Sequence, residues 1–237
     1  MRLVVAIVLV VLCAGGAAAC QYPRDPEDTL EHVQGGTLRV GVIENPPWVD
    51  LSGREPRGVE PDLLREFATE QDAEIEWVEG TESELIAAMA GFQLDVVVGG
   101  LTEASPWAKE VSMTLPYVDT EILFAVPPGE ELEQLEGAEI WVEENSEAAA
   151  LLQQEEHAAH PVHYQELSEV DGPALLHSYY IEALGFEPAG QIQKDDDHVM
   201  AVPPGENAML VELGDFLFDK TDHAEELLRA EAEREVR

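Results

Sequence analysis

Residues 36–117 carry the stretch that decides the fold: Gly36-Thr37-Leu38-Arg39-Val40-Gly41-Val42, then Pro46-Pro47-Trp48, Gly58-Val59-Glu60-Pro61-Asp62-Leu63-Leu64, Asp95-Val96-Val97-Val98-Gly99-Gly100-Leu101-Thr102 and Leu115-Pro116-Tyr117. Strand-like and helix-like runs alternate through it. Thr37–Ile43 reads as a strand, and 61–71 as a helix with Leu63, Leu64, Phe67 and Ala68 on one apolar face. Residues 74–78 read as a second strand, followed by a helix over 84–90 with Leu85, Ala88 and Met89 inward. The unbroken apolar run Leu94–Val98 suits a strand buried on both faces. Gly99-Gly100 then marks a place where backbone comes close to a ligand or a neighbour. Such alternation predicts a parallel sheet with ligands beyond its strand ends.

Beyond Tyr117, strands are expected at 120–126, 139–142, 162–164 and 198–202, with helices at 146–154 and 207–218. Met209, Leu213, Phe216 and Leu217 make the inward face of the last of these. Residues 224–237 are highly charged and read as a frayed terminal helix.

This ordered set of landmarks resembles the extracellular solute-binding proteins of family 3, the receptors of polar amino-acid uptake systems, over nearly all of residues 36–219. The resemblance implies an α/β, two-lobe periplasmic-binding-protein-like clamp (type II), each lobe a mostly parallel sheet flanked by helices. Crossings between the lobes would fall near 117–121 and 195–198. Lobe 1 would be 37–121 plus 197–237, and lobe 2 would be 122–196. The implied role is a monomer that captures a small polar solute between its lobes and delivers it to an ABC-type permease. No cofactor is implied. A periplasmic sensing or accessory module without a transport partner is the alternative, and a dehydratase-like enzyme on the same fold a more distant one.

Family 3 proteins hold an amino acid with aromatics, a Gly/Thr turn, an Arg clamp on the carboxylate and a second-lobe acid on the ammonium. Trp48 matches the aromatic after the first strand, and Gly100 and Thr102 match the turn. The Arg position holds Trp107; Lys109 is nearby, but a point charge does not replace a planar fork. In the second lobe the acid should follow Leu176-His177, where Ser178 stands, and a shift of one residue would bring in Asp171 instead. Ser146 and His177 complete the second-lobe candidates, and Glu82 takes another aromatic position. Leaving a desolvated carboxylate unpaired costs roughly 3–5 kcal/mol, so an ordinary amino acid is a poor expectation. Trp48 and Trp107, with Glu44, Asn45, Glu82 and Glu143 near the rim, suit a cation such as a quaternary ammonium or a polyamine. In a chain this acidic, though, three glutamates near any site are expected by chance, and Trp107 could simply pack beneath its loop.

His157, His160 and His163 have a spacing that could hold zinc or nickel, although Pro161 breaks a helix before the third; a solvated helix end is the plainer reading. Zinc-protease, phosphate-loop and nucleophile-elbow motifs are absent from the sequence.

The first residues read as a secretory signal: Met1-Arg2, an apolar run from Leu3 to Ala19, and small residues at its end. A retained span is the alternative, but the run is short of the roughly 20 residues needed. Ala17-Ala18-Ala19-Cys20 fits both an ordinary cut and a lipobox. Lipidation of Cys20 is favoured because it would be the one cysteine left after cleavage. Residues 20–36 would then tether the first strand to a membrane touched only through that lipid, placing the protein in the periplasm or at the cell surface.

Fifty acidic residues against 12 basic ones leave a formal charge of −38. Such a surface repels nucleic acid and anionic lipid, and both are set aside as partners. The acids are spread from Asp25 to Glu235 rather than gathered in a tail, which suggests a salt-loving source. Screening at about 1 M salt shortens the Debye length to about 3 Å. The expected outcome is a melting temperature that rises from dilute buffer to about 1–2 M salt; a flat or falling profile in calorimetry would show that the acids are locally compensated.

Overall fold

A computed structural model describes residues 23–132, 134–154 and 159–237. The segment read as a secretory signal, Cys20 and His157 lie outside the described residues. Among those described, no helix is long and apolar enough to cross a membrane.

Two five-stranded mixed sheets form the molecule. The first has the order β2-β1-β3-β10-β4, from β1 (Thr37–Val42), β2 (Glu74–Glu79), β3 (Val96–Val98), β4 (Ser112–Met113) and β10 (Ala201–Val202). The second has the order β7-β6-β8-β5-β9, from β5 (Val118–Val126), β6 (Glu139–Glu143), β7 (His160–Tyr164), β8 (Ala174–His177) and β9 (Glu187–His198). In each sheet three strands run parallel, as the alternating sequence predicts, and the strands that return from the other lobe pair antiparallel.

Helices cover both sheets: α1 (Thr29–Val33), α2 (Val59–Glu70), α3 (Glu82–Ala90), α4 (Glu147–Gln154), α5 (Ser178–Leu184), α6 (Asn207–Asp219) and α7 (Thr221–Glu235). Helix α2 starts with Pro61 in its first turn, where no amide partner is lost, and buries Val59, Leu63, Leu64 and Phe67 against β1 and β3. The inward face of α6, Met209, Leu213, Phe216 and Leu217, is buried in the same core.

The strands β5 and β9 pair from Val118↔His198 through Glu121↔Asp195 and continue to Val126↔Glu187. Val118 reaches the core of the first lobe, and His198 forms a bridge to Thr102 there. The two crossings are therefore hydrogen-bonded to each other and to the first lobe.

Two expectations are corrected. The tether does not run free to residue 36. Asp25 accepts hydrogen bonds from Leu30 in α1 and from Ala208 and Met209 at the start of α6. Fully buried Glu206 accepts from the amides of Glu27 and Thr29. Two carboxylates thus serve orphan helix N–H groups and dock the segment, with Val33 in the core. The charged C-terminus is not frayed either. Helix α7 buries Ala224 and Leu228 in the first-lobe core and Ala232 in the second, so it belongs to neither lobe alone. Its apolar residues recur at four-residue intervals on one stripe, which the surrounding charges hide from a composition-based reading. Leu228→Ala is expected to lower unfolding free energy by about 2–5 kcal/mol in denaturant titration, against under about 0.5 for a solvated helix end.

Candidate functional site

Between the sheets lies a cavity of about 350 Å³ lined from both lobes. The first lobe contributes Asn45, Trp48, Gly100 and Thr102; the second contributes Glu143–Glu147 from the β6–α4 turn, with His177 and Tyr179. Asp196 and His198 come from the crossing strand. A neighbouring space of about 300 Å³ shares Asn45, Gly100, Thr102 and Glu147 and extends to Glu44, Glu82, Ser105 and Pro106.

The floor is the turn after β3. Gly99 and Gly100 have φ of +152° and +68°, and a Cβ on Gly100 would collide with Trp48 Cδ1 and Asn45 Nδ2. Only glycine permits this backbone and this approach. Asn45 Nδ2 donates to the Gly99 carbonyl at 2.9 Å. From beneath, Glu60 accepts the Gly100 N–H at 2.9 Å and the Tyr117 hydroxyl at 2.9 Å. Complete burial pushes the Glu60 carboxyl up to about 7, although the hydrogen bonds from Gly100, Tyr117 and Gly99 pull it down.

The aromatic wall is Trp48, held by the bridge between Asn45 and Val49. It lies on His198 with centroids 3.9 Å apart and meets Tyr179 and Tyr117 edge-on. Tyr179 stacks in turn on His177 at 5.1 Å. His198 Nε2 is 2.9 Å from Thr120 Oγ1, while Nδ1 of both His177 and His198 is buried without a hydrogen bond of ordinary geometry. Burial holds His198 down to about 4 despite the charge of Asp196, and it lowers His177 as well. Both rings are neutral at neutral pH.

Four carboxylates, Glu143, Glu144, Glu147 and Asp196, line the cavity, and no Arg or Lys does among the described residues. Lys194 sits behind them, 2.6 Å from Asp196 and 2.7 Å from Glu147. Burial raises Glu143 above the usual carboxylate range.

Of the sequence candidates, Asn45, Trp48, Gly100, Thr102, Ser146 and His177 come together around the main cavity, and Glu44 and Glu82 line the adjoining space. Ser146 also caps α4, accepting from Ala149 at 3.1 Å and donating to the Glu143 carbonyl. Two candidates fall elsewhere. Trp107 packs on the core formed by Leu85, Met89, Leu101 and Val111, because the loop after Thr102 turns its indole under rather than outward. Ser178 points to the far side of the crossing, where its Oγ accepts the Glu121 N–H at 3.2 Å. His160 and His163 are exposed on strand β7, three residues apart and thus on opposite faces. The described residues contain no group able to hold a metal.

Sequence reasoning missed Asp196, His198 and Tyr179, together with Glu144, Asn145 and Glu147 around Ser146. The run Asp195-Asp196-Asp197 offered no basis for choosing among its members. The two-residue period of β9 selects Asp196 and His198 for the buried face, and only pairing with β5 sets that phase.

A cleft between two α/β lobes joined by paired crossing strands defines the class of two-lobe ligand-binding clamps. Residues 38–228 match the bacterial extracellular solute-binding proteins, family 3, and the chain belongs to that family. Among solved structures, an ancestral cationic amino acid solute-binding protein is similar at TM-score 0.69 and 18% identity, over 88% of this chain and 99% of that one. The L-cystine solute receptor of Neisseria gonorrhoeae, unliganded and open, is similar at TM-score 0.67 and 13% identity, over 88% and 98%. A putative ABC transporter binding component from Wolinella succinogenes, complexed with lysine, is similar at TM-score 0.61 and 17% identity, over 81% and 94%. Among curated proteins, membrane-bound lytic murein transglycosylase F of Vibrio cholerae is 30% identical over 93 residues, 38% of this chain. The chain spans only 18% of that relative's length.

The raised Glu60 pKa has a stability consequence. Its folded value of about 7 lies above the ordinary 4.5, so the folded state holds the proton more tightly. The favourable contribution is complete below 4.5 and is lost as pH rises through 7, up to about 3 kcal/mol. His198, depressed to about 4, acts in the opposite sense, losing stability as pH falls from 6.5 through 4. The difference between wild-type and Glu60→Gln unfolding profiles should therefore isolate Glu60. The variant is expected to gain relative stability between pH 5 and 8, and parallel profiles would contradict a buried titrating carboxyl.

Proposed function

We propose that this protein is an exported solute receptor that closes on a small polar cation and delivers it to an ABC-type permease. One observation carries the reading: a cavity of about 350 Å³ has walls from both lobes and from the strands that connect them. A solute there touches both lobes and favours the closed form by its differential affinity. The volume falls in the range of small-molecule sites, about 300–1,000 Å³. Four lining carboxylates, an aromatic wall and the lack of a lining Arg or Lys support a cationic solute whose carboxylate, if any, is not clamped. Two similar structures are of a cationic amino acid solute-binding protein and of a binding component complexed with lysine, which agrees with a positively charged ligand.

Export, retention by a lipid on Cys20 and a salt-rich setting complete the proposal. The reading includes no catalytic step. A second reading, an accessory or sensing module without transport, is favoured by one observation. The chain matches under a fifth of a murein transglycosylase, a longer protein with another stated activity.

Thermal-shift and calorimetric screening of betaines, polyamines, lysine, arginine and the neutral amino acids tests the proposal. A ligand at 100 times its Kd adds about 2.7 kcal/mol of stability. Cations are expected to shift the melt and the neutral amino acids to leave it unchanged. Trp48→Ala should abolish the shift, whereas Trp107→Ala, on its separate core, should preserve it. A clear shift with a neutral amino acid would overturn the cation class and leave the receptor standing. No shift with any compound, and no small molecule co-purifying by mass spectrometry, would overturn the receptor.

A further inference from the structure

A buried carboxyl group of the first lobe bonds the cavity floor without lining the cavity itself. Glu60 is fully buried, yet it carries a carboxyl where a glutamine of nearly equal size would escape most of the desolvation cost. Its two oxygens reach different parts of the binding apparatus. Oε2 accepts from Gly100, in the cavity floor, and Oε1 accepts from Tyr117, the last residue before the first crossing strand. The backbone N–H of Tyr117 donates to the His198 carbonyl on the second crossing, so one side chain joins floor and hinge. The Glu60 N–H itself donates to the Trp48 carbonyl, tying the aromatic wall to the same point.

We propose, on the reading of the cleft as the solute site, that Glu60 is its positioning residue: the buried carboxylate sets the Gly99–Gly100 turn and the hinge entry together, so that solute affinity depends on the charge it carries. Charge-assisted acceptance is roughly twice as strong as the neutral kind, and a carboxylate accepts on both oxygens without rearrangement. Protonation or amidation turns one oxygen site into a donor and obliges the Tyr117 hydroxyl to reverse its role. Both bonds are then neutral and weaker, and the common anchor of the turn and the crossing loosens.

The charged groups on the elements packed around Glu60 have partners of their own, and burial also raises Glu231 and Glu235 on α7. On its own helix, Asp62 pairs with Arg65 at 2.7 Å and both are partly exposed. The α6 face packed in the shared core is Met209, Leu213, Phe216 and Leu217, without charge. Glu231 of α7 pairs with Arg234 at 2.7 Å. Arg65 lies over Trp77 of β2. His198, packed against the Trp48 ring, stays neutral above about 4. Tyr117 is raised well above its ordinary value and remains a hydroxyl.

The test records amide NMR spectra of Gly99 and Gly100 from pH 5 to 8.5 in the full mature protein and in its Glu60→Gln and Glu60→Asp variants. Spermidine and lysine titrations accompany them at pH 5.5 and 8. The Gly100 amide should titrate with a midpoint near 7 in the wild type and lose that response in Glu60→Gln. Glu60→Asp, which keeps the carboxylate, should restore part of it. Affinity for whichever probe binds should fall at least tenfold at pH 8 in Glu60→Gln while its melting temperature holds or rises. A pH-insensitive Gly100 amide overturns the proposal, as does unchanged affinity, or a loss of affinity that only follows a loss of stability. Should neither probe bind, the cationic reading of the cleft fails, and the amide titration still decides the role of Glu60. Should Glu60→Gln not fold, Tyr117→Phe serves instead: removing the hydroxyl should raise the Gly100 midpoint, and an unmoved midpoint overturns the proposal.

Discussion

The pairing of the two crossing strands is the constraint on which the rest of the molecule depends. Val118–Glu121 and Asp195–His198 are hydrogen-bonded to each other, so the lobes are joined by a two-stranded ribbon rather than by independent linkers. A paired ribbon resists shear but can bend or twist at its ends, which limits lobe motion to a hinge. The same register delivers function. Because side chains alternate along a strand, fixing the pairing places Asp196 and His198 on the cavity side and leaves Asp195 and Asp197 exposed. The C-terminal helix adds a second link behind the ribbon, with its apolar stripe shared between both cores.

Charge is handled differently at each depth of the fold. On the surface the acids are scattered, and salt screens their repulsion. In the cleft wall, Lys194 holds Asp196 and Glu147 together, leaving a partly compensated acidic surface beside neutral imidazoles. At the base, Glu60 has no ion-pair partner among the described residues and relies on an amide and a phenol. Its burial trades stability for an acceptor of fixed direction beneath the Gly99–Gly100 turn, a common bargain at binding sites.

Most of the first lobe was legible from residues 36–117. Apolar periodicity and glycine placement are local properties, and β1, β2, α2, α3 and β3 form within two residues of where those patterns put them. The floor of the site was legible for the same reason, since a Gly-Gly pair after a buried strand has few other uses. The second lobe was less so. The strand Ala174–His177 is a run of only four residues and the long strand Glu187–His198 carries Pro, Gly and charge, and pairing with β5 rather than propensity makes them strands.

Trp107 and the acids show the same boundary at the level of single side chains. Counting positions put an indole where a ligand clamp was expected, but the direction of a side chain on a loop follows from what the loop packs on, here Leu85, Met89 and Val111. Composition alone determined the strongly acidic surface, and local pattern determined the α/β alternation of the first lobe, the helix α2 and the glycine turn, while the two-lobe class rested on the family resemblance. Only the tertiary structure decided which of fifty acidic residues face the cleft, that the terminal helix straddles both lobes, and that Glu60 sits under the turn. Periodicity is read between near neighbours, whereas burial and pairing are set by residues as far apart in sequence as Glu60 and Tyr117, or Thr120 and His198, the second pair meeting only once the chain has crossed to the second lobe and back.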